Sequence, residues 1–174
     1  MLLLVDLAGR WAKGAEDIRR VALPDDPLPS ADAIVGVGHA LNYLPDAEGI
    51  KRALIAIAGT LQPRGVLALA ICDLEWGSVR RDAPNLGIVG DDWAIVSRFT
   101  TPSSDRFVRE ITTFVLQEDG SWRRDDERHH NVLIDTARVP ELLVSMGVQV
   151  EIKAPSGAST FPVELKGLVG GRLV

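Results

Sequence analysis

The stretch ADAIVGVGHALNYLPDAEGIKRALIAIAGTLQPRGVLALAICD, Ala31 to Asp73, decides the fold of this 174-residue chain. Ala31 to Val37 is a nearly unbroken apolar run, the pattern of a strand covered on both faces in a parallel sheet. From Asp46 to Leu61, the residues Ile50, Ala53, Leu54, Ile57, Ala58 and Leu61 recur at helical spacing and predict one apolar stripe. Pro63 and Gly65 break the chain behind this helix, and Val66 to Ile71 is a second continuous apolar strand. Strand, helix and strand in this length predict a right-handed βαβ crossover. Gly38, His39, Asn42 and Tyr43 follow the first strand, where open α/β sheets bind their ligands.

Outward from that core, composition bounds the answer. The length suits a single domain, and 46% apolar with 25% charged residues is ordinary for a globular protein. A net charge of -5 argues against a nucleic-acid partner. The arginines between Arg98 and Arg128 are interleaved with acids and read as a solvated or ion-paired face. The single cysteine, Cys72, excludes an internal disulfide and reads as a buried thiol. No metal site is expected: strand alternation puts Glu127 and His129 on one face, Asp126 and His130 on the other. His129 and His130 are instead expected as exposed cross-strand partners of arginines. No apolar stretch reaches membrane-spanning length, no signal peptide precedes the domain, and a cytoplasmic location is expected.

Met1 to Lys13 reads either as a short helix or as a strand, Leu2 to Leu7, ending at a turn. Asp17 to Leu23 reads as a strand stopped by the loop Pro24 to Pro29. Asp92 to Phe99, Arg106 to Gln117 and Ser121 to Ile134 alternate apolar and polar residues as half-exposed antiparallel strands do. Asp119-Gly120 marks a hairpin between the last two. Asp135 to Met146 is expected as a helix with Asp135 as N-cap, followed by Gly147 and two closing strands, Val148 to Lys153 and Leu165 to Leu173.

This order resembles the second half of a class I S-adenosylmethionine-dependent methyltransferase. Asp32, Tyr43, Leu61, Pro63, Gly65 and Val66 occupy the family pattern of an Asp entering the fourth strand, a polar turn, a helix, L-x-P-x-G and a fifth strand. The resemblance implies an α/β, Rossmann-like sheet, incomplete, with an antiparallel β-hairpin lid at about residues 92–134, all within a single domain spanning residues 1–174. It implies S-adenosyl-L-methionine as cofactor and direct in-line methyl transfer to a small-molecule acceptor. The family's GxGxG cofactor loop and its ribose-binding acid do not precede Asp17. An N-terminally truncated enzyme is therefore expected, in which the strand edge at Ala31 to Val37 is filled by Leu2 to Leu7, pairs with a second copy in a homodimer, or leaves the isolated chain unstable. The alternative is a non-catalytic remnant of the fold acting as a binding or partner-docking module. A nicotinamide reductase is disfavoured, since it too needs a glycine-rich turn.

The resemblance and the strand ends together nominate the site. His39 is a candidate base or orienting group, with Tyr43 and Asp73 as further catalytic candidates. Asp73 also suits a helix cap. Gly38, His39 and Asn42 are candidates for cofactor contact, and Asp25 and Asp26 for a shifted adenine contact. Of Trp76, Trp93 and Trp122, most are expected as core or lid packing. On this placement, His39→Ala and Tyr43→Ala should harm binding or turnover more than His129→Ala.

Overall fold

A computed structural model describes residues 19–81, 84–153 and 166–173. The βαβ unit forms as its sequence requires. Strand β1 (Ala31–Gly36) leads through a 3₁₀ turn (Ala40–Tyr43) to helix α1 (Ala47–Thr60) and strand β2 (Leu61–Ile71), and β1 and β2 pair in parallel. Asp46 starts α1 by accepting the Gly49 amide proton at 2.7 Å. Ile50, Ala53, Leu54, Ile57 and Ala58 of its apolar stripe are buried, packed with Leu67, Leu69 and Ile71 of β2.

The chain continues through helix α2 (Leu74–Arg80), four antiparallel strands and helix α3 (Val139–Val144), which a 3₁₀ turn at Thr136–Arg138 introduces. The four strands are β3 (Leu86–Val89), β4 (Trp93–Ser103), β5 (Arg106–Leu116) and β6 (Trp122–Val132). Strands β7 (Val148–Lys153) and β8 (Lys166–Arg172) then close the first sheet. Its order is β1-β2-β8-β7, with β8 antiparallel to both neighbours; the second sheet runs β3-β4-β5-β6. The lid read as a hairpin is thus a four-stranded sheet, enlarged by β3.

Three expectations are corrected. Arg19 to Leu23, the described part of the strand read from Asp17, carries no strand. The amides of Asp25 and Asp26 both donate to the Ala22 carbonyl and close a turn there instead, while Leu23 and Leu28 pack on the core. The first sheet is not covered on both faces by described residues. Val35 (71% exposed), Ala68 and Val169 form one cross-strand row on its open side, beside exposed Val66. The C-terminal helix is short, because Asp135 caps a 3₁₀ turn before α3 begins. The Met1 to Lys13 alternatives, including Leu2 to Leu7, lie outside the described residues. Among the described residues β1 is an edge strand. No described helix is long and apolar enough to cross a membrane.

Candidate functional site

At the carboxyl ends of β1 and β2 the polar residues divide into two groups. The first is a clasp joining the two sheets. Asn42 is fully buried; its Nδ2 donates to the carbonyls of Cys72 (2.9 Å) and Val132 (2.6 Å), and its Oδ1 accepts the Cys72 amide at 2.9 Å. Asp73 caps α2 by accepting the Trp76 amide at 2.8 Å, and its other oxygen accepts the Thr136 hydroxyl at 3.2 Å. Leu133 sits so close to α2 that a Cβ on Gly77 would stand 2.2 Å from its Cδ1. Asn42 thus spends its amide on backbone groups, and Asp73 takes the helix-cap role its sequence position also suits. Cys72 is buried, and burial together with the Asp73 charge raises its thiol pKa, so it is the inert thiol its sequence context implies.

The second group faces the space beneath the second sheet. Gly38 and His39 are both left-handed, with φ of 69° and 53°. For a non-glycine residue that conformation costs roughly 1 kcal/mol. It turns the His39 ring under the lid, stacked on Tyr43 at 5.7 Å and tilted against Phe107 at 6.3 Å. His39 Nδ1 is buried without a hydrogen-bond partner. Burial first, then the charges of Arg109 and His129, lower its pKa to about 4, so the ring is neutral near pH 7 and a weak base. It therefore suits an orienting hydrogen bond better than proton abstraction.

Tyr43, half exposed, bonds His129 Nδ1 at 2.9 Å, and His129 Nε2 lies 2.9 Å from the Glu127 carboxylate. With the ring proton on Nε2, both contacts are satisfied. The Tyr43 hydroxyl donates to Nδ1 and Nε2–H donates to Glu127. Burial raises the Tyr43 phenol, partly offset by the Asn131 amide and the Arg109 guanidinium. His129 does stand cross-strand from an arginine, Arg109, as expected, but half-buried rather than exposed, and it faces the site from the second sheet.

Strand register builds the rest. Phe99, Arg109 and His129 share one cross-strand row, with Phe107 and Asn131 paired beside it on the same face. Trp76 of α2 packs on Phe107 at 4.5 Å and on Phe99 at 6.3 Å. Arg80, from the last turn of α2, lies over the rings of Phe99 and Trp76 at 5.1 and 5.8 Å. Trp93 and Trp122, expected in packing roles, are instead partly exposed. Asp25 and Asp26 do not join the cluster. Asp25 pairs with Arg52 of α1 at 3.2 Å, and Asp26 accepts the Ala22 amide at 2.8 Å, which assigns both to holding their turn. Among the described residues there is no group of three metal-ligating side chains.

No protein-family profile matches this chain, and no curated protein matches it. Solved structures do. DesVI of Streptomyces venezuelae is 18% identical at a TM-score of 0.70, over 98% of this chain and 70% of its own. The fold is that of the S-adenosylmethionine-dependent methyltransferases. An S-adenosylmethionine-dependent methyltransferase from Clostridium acetobutylicum matches at 15% identity and a TM-score of 0.67, over 84% of this chain and 60% of its own. CalS10, an amino pentose methyltransferase from Micromonospora echinaspora, matches at 16% and 0.67 over 98% and 70%. The chain spans between 60% and 70% of the length of these three solved structures. In this methyltransferase fold, the His39–Tyr43 turn lies at the carboxyl end of β1, where α/β sheets take their ligands.

Proposed function

We propose that this chain forms the acceptor-facing part of a site for S-adenosylmethionine-dependent methyl transfer to a small molecule. One observation carries the reading: buried polar groups without partners gather at the carboxyl end of β1, roofed by the second sheet, in a methyltransferase fold. Among the described residues no atom lies within 4 Å of where a Cβ on Gly38 would stand, and exposed Val37 borders it, which supports placing the cofactor beside this turn. Among the described residues there is no glycine-rich loop or ribose-binding acid, so only this wall of a cofactor site is represented.

When bound, S-adenosylmethionine supplies a sulfonium methyl that an acceptor nucleophile displaces in line. The chain's own residues position the acceptor and exclude water. Neutral His39 offers a hydrogen bond that orients the acceptor from below. The chain Tyr43–His129–Glu127 gives a released proton a path to an exposed carboxylate. Trp76, Phe99 and Phe107 form the apolar wall.

Isothermal titration with S-adenosylhomocysteine tests the reading. The expected result is saturable binding, weakened by His39→Ala and Tyr43→Ala and unchanged by Arg98→Ala on the outer lid face. A folded chain that binds none contradicts it.

A second reading, a partner-docking module that includes a homodimer, is favoured by the open edge of β1 and an apolar groove of about 250 Å³ beside it. Leu23, Leu28, Ile34, Leu41 and Leu69 line that groove. A concentration-dependent dimer in light scattering that Val35→Lys abolishes would support it.

A further inference from the structure

We propose that the acceptor carries an oxyanion, a carboxylate or a phosphate on an apolar body, held by Arg80 and Arg109 with the Asn131 amide beside them. The inference rests on reading this space as the acceptor site. It begins with two arginines that pair with no acid among the described residues. Arg80 is 5% exposed and its Nη2 is buried without a partner. Arg109 donates to the Ser97 hydroxyl at 3.1 Å, but its Nε is buried and unpartnered. Both guanidinium carbons lie against the Phe99 ring, at 5.1 and 5.7 Å. Among the described residues no carboxylate pairs with either.

Two like charges out of water and close together are costly unless something negative compensates them. Burial, with Arg109 next, lowers the pKa of Arg80, which records that tension. Glu127, on this face, accepts the His129 ring N–H, and Asp73 caps α2. The other face of the same sheet behaves differently. There Arg98 and Arg128 share Glu110, and Arg124 pairs with Asp126 at 2.9 Å.

The remaining unpartnered atoms sharpen the ligand class. Trp76 Nε1 is a buried donor without an acceptor. Asn131 is 1% exposed, and its amide lies toward the Tyr43 hydroxyl without closing a hydrogen bond to any described residue; it follows His129 by two residues along β6, on the same face. Donors thus outnumber acceptors around an aromatic wall. An anionic head group answers the donors, and an apolar or aromatic body answers Trp76, Phe99 and Phe107.

Binding of benzoate, phenyl phosphate and neutral benzamide to the full chain, without S-adenosylhomocysteine, tests this. At least one anion is expected to bind about ten-fold tighter than benzamide, and less tightly as salt rises. Arg109→Met and Arg80→Met should each remove that preference, Arg109→Lys should restore part of it, and Arg98→Met should leave it intact. The better of the two anions identifies the head group. Equal binding of benzamide, no binding by a folded chain, or anion binding that survives both Met substitutions would overturn the inference. A chain that binds the anion but not S-adenosylhomocysteine keeps this inference and loses the methyl-transfer reading. A chain that binds S-adenosylhomocysteine but neither anion loses this inference alone.

Discussion

Two clusters of polar side chains lie within one turn of each other at the ends of β1 and β2, and they are built on opposite principles. In the clasp, Asn42 and Asp73 place their polar atoms on backbone N–H, carbonyl or hydroxyl groups. In the space under the lid, His39, Trp76, Arg80, Arg109 and Asn131 each leave at least one buried atom unbonded. Buried polar groups are normally satisfied, so a concentration of exceptions is informative. Proximity to a strand's carboxyl end does not separate structural from ligand-facing residues. Whether the side chain's hydrogen bonds are already spent does.

The sharpest way to break this contrast is to remove a clasp residue. Asn42→Ala strands two carbonyls and one amide in the interior and should cost about 3 kcal/mol in chemical denaturation. A loss below roughly 0.5 kcal/mol would show that the sheets do not depend on the clasp.

The next effect is a pH dependence. His39 binds its proton near 6.5 when unfolded but only near 4 when folded. The unfolded state therefore holds more protons between those values, and stability rises with pH. The contribution is fully present above pH 6.5 and is lost as pH falls toward 4. It should amount to on the order of 2 kcal/mol between pH 7 and 4.5, and His39→Gln should flatten that part of the profile.

A smaller effect has the opposite sign from the clasp. Arg80→Met replaces an uncompensated buried cation with an apolar side chain and should raise stability by about 1 kcal/mol, read as a higher midpoint in urea. The smallest effect is on the outer lid face. Arg98→Met breaks an exposed pair with Glu110 and should stay within about 0.5 kcal/mol.

Much of the frame was legible because it is written in periodicity. The α1 stripe and the β1–β2 pairing follow directly from apolar spacing. The Asp119-Gly120 turn fixes the register that sets Arg109 opposite His129, so that row was available in the sequence. What alternation alone does not reveal is which face of β5 and β6 meets α2. His129 therefore reads as a surface residue, and neither Arg80 nor Asn131 stands out in the sequence. Asn42 misled for a related reason. An Asn after a strand looks the same whether its amide meets a ligand or a neighbouring carbonyl, and only the approach of Val132, ninety residues away, decides it. The open face of the first sheet departs from the buried-strand signature because no described element packs on Val35 and Val66.

The most direct test of the account is backbone amide NMR of the chain titrated with S-adenosylhomocysteine. Chemical-shift changes should concentrate from Gly36 to Tyr43, with smaller ones at Arg109 and His129 on the second sheet. Changes confined to β7 and α3, or none in a well-folded spectrum, would contradict the placement of the site.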